Sequence, residues 1–144
     1  MAKDEHLEVW PGHFAEFMAL PLDHPIDMLN LLRFRAMANY PPDHPNAAKA
    51  LTGEEAFRVY TRDSFPSFVR AGGSIVWSGT MEAMMIGPIT ERWNLAFVAR
   101  YPSREAFLAS LADAEYKRAV IHRQAALETS RLICLKAMDT RTGE

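Results

Sequence analysis

The feature that most constrains the fold is a series of short apolar segments typical of strands, separated by segments of helical periodicity. The predicted strands span residues 26–34, 74–86, 93–101 and 131–138, and the second is either one long strand or a bent pair. Helical periodicity lies between the first and second strands and again between the third and fourth. This β-α-β-β-α-β order predicts an α+β, ferredoxin-like fold, in which helices cover one face of a four-stranded antiparallel sheet.

Local signals mark the ends of the predicted helices. Thr52 and Glu55 have the spacing of a capping box, so a helix is expected to begin after Thr52 and to end at Gly72-Gly73. Ser103 and Asp113 are expected to cap two later helices. An amphipathic helix beginning at Pro11 precedes the first strand. The predicted organisation is an N-terminal helical extension at 1–23, a ferredoxin-like domain at 24–139 and a tail at 140–144.

The predicted strands are apolar on both faces, which has a consequence for assembly. Helices of this fold cover one face only, so the other apolar face needs a second cover. A second copy of the same sheet is the simplest one, and the sequence therefore predicts a homodimer whose sheets pack into a barrel. The side chains behind this prediction are Leu29, Leu31, Ile75, Phe97, Val98, Ile133 and Leu135.

Composition and motifs exclude several classes of function. The 16 basic and 18 acidic residues give a net charge of -2, which argues against nucleic acid or an anionic membrane surface as partners. No apolar run reaches the ~18 residues of a membrane span, and the first residues do not resemble a secretory signal, so a cytoplasmic protein is expected. Phosphate-binding loops and the motifs of serine and zinc hydrolases are absent, and no cofactor or metal is predicted.

Two histidines occur in a repeated tripeptide, Asp23-His24-Pro25 and Asp43-His44-Pro45. A histidine beside a carboxylate can bind a metal ion, but Asp and Pro in this arrangement are also typical of turns. We interpret both tripeptides as turns. Cys134 is the only cysteine of the chain and lies in a strand-like run, which favours a buried thiol.

A longer segment resembles a known family. The run Phe97-Val-Ala-Arg-Tyr-Pro-Ser-Arg-Glu-Ala-Phe107, followed by Asp113-Ala-Glu-Tyr116 and Arg123, resembles the domain-of-unknown-function 1330 family of dimeric α+β-barrel proteins. The resemblance covers residues 26–138. The wider superfamily includes haem-degrading and cofactor-free quinol monooxygenases as well as isomerases. Val120 stands where the haem-degrading enzymes carry their histidine, so the resemblance does not support haem chemistry here.

Three residues are candidates for catalysis. Asn30 is a polar side chain in an apolar strand, and its amide would bind a substrate oxygen or a neighbouring loop. Tyr101 could donate to a ligand oxygen or simply pack. His122 has the ordinary pKa range of a general base, although a lone helical histidine is more often solvated or hydrogen-bonded within the protein.

Four further residues are candidates for ligand binding. Arg123 is expected to face inward or along the edge of the sheet, where it would bind an anionic substrate or pair with an acid such as Glu115 or Glu82. Two indoles beside an arginine can form the flat wall of a pocket for a planar ligand, although interface or core packing explains them equally. These three residues are Trp77, Arg92 and Trp93.

Two functions remain open at this point. The first is a cofactor-independent oxygenase or isomerase that acts on a planar, oxygenated organic molecule. The second is a non-catalytic ligand-binding or structural dimer. Under the enzymatic hypothesis, Asn30, Tyr101 and Arg123 should line one cavity that connects to solvent.

Overall fold

The computed structural model describes residues 6–21 and 23–138, and over these residues it has four strands and four α-helices. The strands form one antiparallel sheet in the order β2-β3-β1-β4. This arrangement confirms the predicted α+β, ferredoxin-like fold. The predicted tail at 140–144 lies outside the described residues. The elements are α1 (Pro11–Ala19), β1 (Ile26–Phe34), a 3-10 turn (Pro45–Ala48), α2 (Gly53–Arg70), β2 (Ser74–Gly79), β3 (Leu95–Tyr101), α3 (Arg104–Ala112), α4 (Ala114–Ala126) and β4 (Leu127–Leu135).

Three strands differ from their predicted limits, and of these β3 begins only two residues later than predicted, at Leu95. β2 ends at Gly79, which pairs with Ala96 near the beginning of β3, and the apolar residues 80–86 therefore have no strand beside them to extend the pairing. β4 begins at Leu127, four residues before the predicted position, because a register shift at Arg33/Phe34 lets the end of β1 pair with it. Sheet pairing rather than local composition sets both limits.

The predicted helix ends are confirmed. Thr52 Oγ1 accepts a hydrogen bond from the Glu55 amide at 3.0 Å, and Glu55 Oε1 accepts one from the Thr52 amide at 2.9 Å. Ser103 caps α3, and Asp113 caps α4 through the Glu115 amide at 2.8 Å. Each cap pairs an amide that the first helical turn leaves without a partner.

The core lies between the sheet and the helices. Alternate residues of β1 face the helices, and Ile26, Met28 and Leu32 are buried there. Leu32 packs in one cluster with Phe57 of α2 and the end of α4, whereas Ile26 and Met28 pack with Phe107 of α3. The helices therefore cover this side of the sheet, which we call the helix side.

The opposite side of the sheet, here called the bare face, has no helix over it in the described part of the chain. A continuous apolar row crosses all four strands there, through Trp77, Val98, Leu29 and Ile133. Trp77 is 55% exposed and Ile133 is 42% exposed. Apolar side chains thus occupy both faces of the sheet, as predicted. Among the described residues, no helix is both long and apolar enough to span a membrane.

The N-terminal segment crosses the helix side as a strap, residues 6–20. At its first end, Ser130 of β4 donates its amide to the carbonyl of His6 at 2.8 Å. At its other end, Arg104 Nη1 donates to the carbonyls of Phe17, Met18 and Leu20 at 2.7 to 3.2 Å. No residue of α1 is fully buried, so these hydrogen bonds hold the strap in place together with the packing of Phe17. The domain division at residue 24 stays a prediction.

Gly53, at the beginning of α2, lies very close to the backbone of two neighbouring segments. A Cβ at this position would clash with the carbonyl of Arg35 and would lie 2.7 Å from that of Ala126. We expect Gly53→Ala to lower the free energy of unfolding by about 2 kcal/mol, because backbone atoms cannot move aside as side chains do. Urea denaturation measures the change. Gly12→Ala is the control: it also lies in a first helical turn, where a Cβ would meet only the Trp10 side chain, and it should change stability by under about 0.5 kcal/mol. Equal effects of the two substitutions would contradict the close approach.

Candidate functional site

Asn30 and Tyr101 both lie on the helix side of the sheet. Asn30 is buried, and its Nδ2 donates to the carbonyl of Met28 at 3.1 Å. Tyr101 packs edge-on against Phe68 and Phe107. Burial raises the pKa of Tyr101 to about 12, and a hydrogen bond with Ser110 opposes this rise only in part. Tyr101 therefore stays protonated at neutral pH and can act as a donor.

Two further tyrosines lie near Tyr101 and were not singled out from the sequence as site residues. The ring of Tyr60 in α2 contacts the ring of Tyr116 in α4 edge-on, with 6.3 Å between the centroids. Burial raises the pKa of Tyr116 strongly, and the nearby Tyr60 raises it further. The three tyrosines thus form a largely packed cluster between the sheet and the helices. Helical spacing predicts that Tyr60 and Tyr116 face inward, but not that they meet.

Arg123 holds the N-terminal strap. Its Nη1 donates to the carbonyl of Leu7 at 2.9 Å, and its Nη2 donates to Ser130 Oγ at 3.4 Å. The predicted alternative of a pair with Glu115 or Glu82 was wrong, since Glu115 pairs with Arg70 at 3.2 Å and neither acid bonds Arg123 within the described ranges. Arg123 faces inward as predicted, but backbone carbonyls bind it.

The two tryptophans do not share a site with Asn30 and Tyr101. Trp77 pairs with Val98, which pairs in turn with Leu29, and all three lie on the bare face. Asn30 follows Leu29 directly, so its side chain faces the other way. A single pocket that contains both Trp77 and Asn30 is therefore incompatible with the strand register.

Trp93 has an arginine over its ring, but it is not the predicted one. The guanidinium carbon of Arg131 lies 5.3 Å from the Trp93 ring centroid, a cation–π contact. Arg131 pairs with Leu31, whose side chain lies on the bare face. Arg92, the sequence neighbour of Trp93, is exposed. The predicted combination of indole and guanidinium exists, but Arg131 of β4 supplies the charge.

His122 forms the most developed polar cluster. Its Nδ1 lies 2.7 Å from the hydroxyl of Tyr40, and its Nε2 lies 3.9 Å from Asp63 Oδ2. The Tyr40 ring stacks on His44, whose own ring meets that of His122 edge-on. The carboxylate of Asp63 favours a proton on Nε2, so that Tyr40 donates to Nδ1. Burial lowers the pKa of His122, and the attraction of Asp63 offsets this only in part. The ring is therefore neutral at neutral pH.

His122 opens onto a groove of about 510 Å³ between α2 and α4, here called the helix groove. Arg62 pairs with Asp63 at 2.8 Å on one wall. Arg118 lines the same groove and forms no ion pair with any residue in the described ranges. The groove thus presents a neutral imidazole N–H and an unpaired guanidinium, which are both donors to an anionic oxygen. Its lining residues are Arg62, Asp63, Pro66, Glu115, Arg118, Ala119 and His122.

A second groove of about 600 Å³ lies at the end of the sheet, beside α2, and is called the end groove here. Phe34, Phe57 and Leu95 give it an apolar lining, and the Glu54–Arg58 ion pair lies at its edge. Neither groove is lined by Asn30, Tyr101 or Arg123. The expectation that those three residues line one cavity is therefore not met by either groove.

Metal-ligating side chains do not gather in the described ranges: no group of three or more His, Cys, Asp or Glu is placed to hold an ion. His44 stacks on Tyr40 and accepts a hydrogen bond from the Asn46 amide at 3.0 Å. His24 lies 2.7 Å from the carbonyl oxygen of Pro25. In both repeated tripeptides the histidine contacts its own turn.

The pKa of His122 gives a prediction about stability. Folding lowers the pKa of His122, so as the pH falls this ring is protonated in the unfolded chain before it is protonated in the folded one. The free energy of unfolding should therefore fall as the pH drops below about 6.5. His122→Asn should cost about 1 kcal/mol at pH 7.5, where it weakens the bond to Tyr40, and less at pH 5. Urea denaturation at the two pH values measures this difference. His13→Asn, on the exposed face of α1, is the control, and an equal cost of His122→Asn at both pH values would contradict the prediction.

Comparison with known proteins identifies a matching family and two similar solved structures. The model of a domain of unknown function, DUF1330, matches residues 47–138. The crystal structure of a protein of unknown function from Rhodopseudomonas palustris is 46% identical, with a TM-score of 0.85, over 93% of this chain and 98% of that one. The methylated form of that protein is 45% identical, with a TM-score of 0.87, over 94% and 97% of the two chains.

A more distant structure shares the fold alone. SnoaB from Streptomyces nogalater, a cofactor-independent oxygenase, is 15% identical with a TM-score of 0.52, over 82% of this chain and 97% of that one. The comparison with curated proteins found no match. The family match begins at residue 47, later than the resemblance in the sequence, and still covers more than half of the chain. The resemblance is thereby confirmed, and the chain belongs to the DUF1330 family.

Proposed function

We propose that this chain forms a homodimer and that each copy binds a small organic molecule with an anionic oxygen in its helix groove. One observation carries the ligand proposal: Arg118 has no ionic partner in the described ranges and lines the same groove as the N–H of a neutral His122. The dimer proposal depends on the bare face of the sheet. Dimerisation and ligand binding can be tested independently of each other.

The bare face supports the dimer. Its apolar row extends across all four strands, and Trp77 and Ile133 expose about half of their surface in the single chain. A continuous apolar face of this kind is typical of an interface. A second copy, related by a two-fold axis, would cover each row with its equivalent and leave no apolar face open.

Two neighbouring residues of β4 provide the test of the dimer. Ile133 on the bare face and Leu132 on the helix side are each 42% exposed, so a charge at either position disturbs the single chain to a similar degree. We expect Ile133→Glu to weaken the dimer at least tenfold, which corresponds to about 1.4 kcal/mol, and Leu132→Glu to change it less than about twofold. Sedimentation equilibrium measures both dissociation constants. A monomeric wild-type protein, or equal effects of the two substitutions, would exclude this interface.

The chemistry of the helix groove favours an oxygenated ligand. A guanidinium binds a carboxylate or phenolate through parallel N–H bonds. The Nε2–H of His122 adds a third donor, because Asp63 Oδ2 lies 3.9 Å from Nε2, beyond hydrogen-bond distance. The hydrogen bond of Tyr40 to Nδ1 fixes the orientation of the ring. The volume of about 510 Å³ lies within the usual range for small-molecule sites.

The reaction that we propose for such a site is a cofactor-independent oxygenation or isomerisation of a planar, oxygenated compound. The oxygenation would use molecular oxygen as oxidant and a deprotonated phenol or enol as substrate, and the isomerisation would proceed through an enolate. Both therefore pass through a delocalised oxyanion, and fixed donors such as Arg118 and His122 would stabilise its charge. SnoaB, a cofactor-independent oxygenase, shares the fold, so the fold is compatible with this chemistry. Asn30 and Tyr101 would then support the core beneath the helices rather than contact the substrate.

The alternative function is a non-catalytic binding or structural dimer. It is favoured by the packing on the helix side, where Asn30 bonds its own strand and Tyr101 is enclosed by Phe68 and Phe107. Under this alternative, the helix groove is an ordinary depression between two helices. Ligand binding by the purified protein separates the two functions.

Salicylate, which is planar and carries both a carboxylate and a phenol, is a suitable probe. We expect saturating salicylate to raise the melting temperature of the wild-type protein, because it binds the native state only. Arg118→Gln should lower the affinity at least tenfold, whereas Lys117→Gln, which removes an exposed charge of α4 outside the groove, should leave it within about twofold. Calorimetric titration measures the affinities. If salicylate, simple phenols and quinols all fail to bind, the structural alternative holds.

A further inference from the structure

We propose that the segment between β2 and β3 of one copy inserts its tip into the end groove of a second copy. This segment, residues 80–94, is called the β2–β3 arm. The inference rests on the proposed homodimer and names a contact that the bare face alone does not supply. It follows from three observations: an exposed apolar tip, an apolar groove, and the position of the arm beside that groove.

The tip of the arm is the most exposed apolar part of the chain described here. Met85, Ile86 and Ile89 are 83 to 95% exposed, far more than the apolar residues of the bare face. Isolated apolar residues on a surface need no explanation, but three within five positions form a patch. Such a patch is typical of a segment that packs against another molecule.

The arm has a defined shape, which favours insertion into a preformed groove. Gly87 has a φ of +138°, which side chains rarely tolerate, and the Glu91 amide donates to the carbonyl of Pro88 at 3.1 Å. At the base, the Trp93 amide lies 3.4 Å from Met81 Sδ, which joins the two sides of the arm. A segment that is already shaped loses less conformational entropy when it binds.

The end groove matches the tip in character. Three of its nine lining residues, Phe34, Phe57 and Leu95, are hydrophobic, and most of the surface that the lining exposes is apolar. Its volume of about 600 Å³ accommodates several side chains. Arg58 and Glu54 pair with each other at the edge at 2.7 Å, so they do not oppose an uncharged occupant. The groove therefore suits an aliphatic segment.

The position of the arm favours exchange between two copies. Thr80 and Asn94, the two ends of the arm, both line the end groove, while the tip extends into solvent. The seven residues from Thr80 to Ile86 are joined by six Cα–Cα steps and can reach about 20 Å. A two-fold axis that crosses the bare face near this end of the sheet would bring each tip to the groove of the other copy, which makes a closed, reciprocal contact. The arm directly follows β2, whose Trp77 lies on the bare face, so the arm begins beside the proposed interface.

A disulfide between two different chains tests the inference. Cys134→Ser first removes the single native cysteine. One tagged chain then carries Ile86→Cys, a second chain with another tag carries Arg58→Cys, and the two are mixed and oxidised. We expect a heterodimeric disulfide with a yield at least tenfold above that of the control pair Ile86→Cys and Lys117→Cys, since Lys117 lies on α4 outside the end groove. Native near-ultraviolet circular dichroism verifies that each variant is folded.

The outcomes separate this inference from the proposed dimer. A wild-type protein that sediments as a monomer overturns both. A dimer in which the mixed pair gives no more cross-link than the control overturns the arm exchange alone. A double variant carries both Ile86→Cys and Arg58→Cys in one chain. If its disulfide forms only within that chain, the end groove binds the chain's own arm, and this result also overturns the arm exchange. Ile86→Asp should also weaken the dimer at least tenfold, because the exposed side chain contributes nothing to the single fold.

Discussion

The sheet has helices on one side only, and the apolar character of its other side is the constraint on which the rest of the structure depends. Strands that are apolar on both faces cannot remain half-covered in water without a cost. On the two central strands of the bare face, near one end of the sheet, Asp27 and Arg100 form an ion pair at 2.6 Å, and this pair lowers the pKa of the Asp27 carboxyl. The pair places a polar contact within an apolar surface, where it would favour one register of two packed sheets over others.

The packing of α2 against α4 creates the helix groove. At one end of this packing, Arg70 pairs with Asp113 and Glu115, and farther along the two helices the neutral ring of His122 approaches Asp63. Exposed ion pairs such as those of Arg70 contribute little stability individually, but together with the His122 contact they align the two helices. Arg118 stands between these two ends without a partner in the described ranges. The candidate ligand site is thus a product of helix alignment rather than of a motif.

Two arginines bind the N-terminal strap. Arg104 and Arg123 extend their guanidinium groups toward backbone carbonyls at opposite ends of residues 6–20. A guanidinium has five N–H donors, so one side chain can satisfy several carbonyls of a short segment that has no strand beside it. Helical spacing predicts the direction of the Arg123 side chain, and substrate binding was one role considered for it. The sequence does not show that the carbonyl of Leu7 lies within its reach.

The order of the elements, the helix caps and the apolar character of both sheet faces could be predicted from the sequence, because these features depend on residues only a few positions apart. Thr52 and Glu55 form their cap as predicted, and the βαββαβ order follows from periodicity alone. Tertiary structure decided which candidates meet. Tyr40 reaches His122 across 82 positions, and Trp77 faces away from Asn30 because of strand register. Contacts between residues so far apart in the sequence depend on how whole helices and strands pack together. A local sequence pattern does not predict that packing.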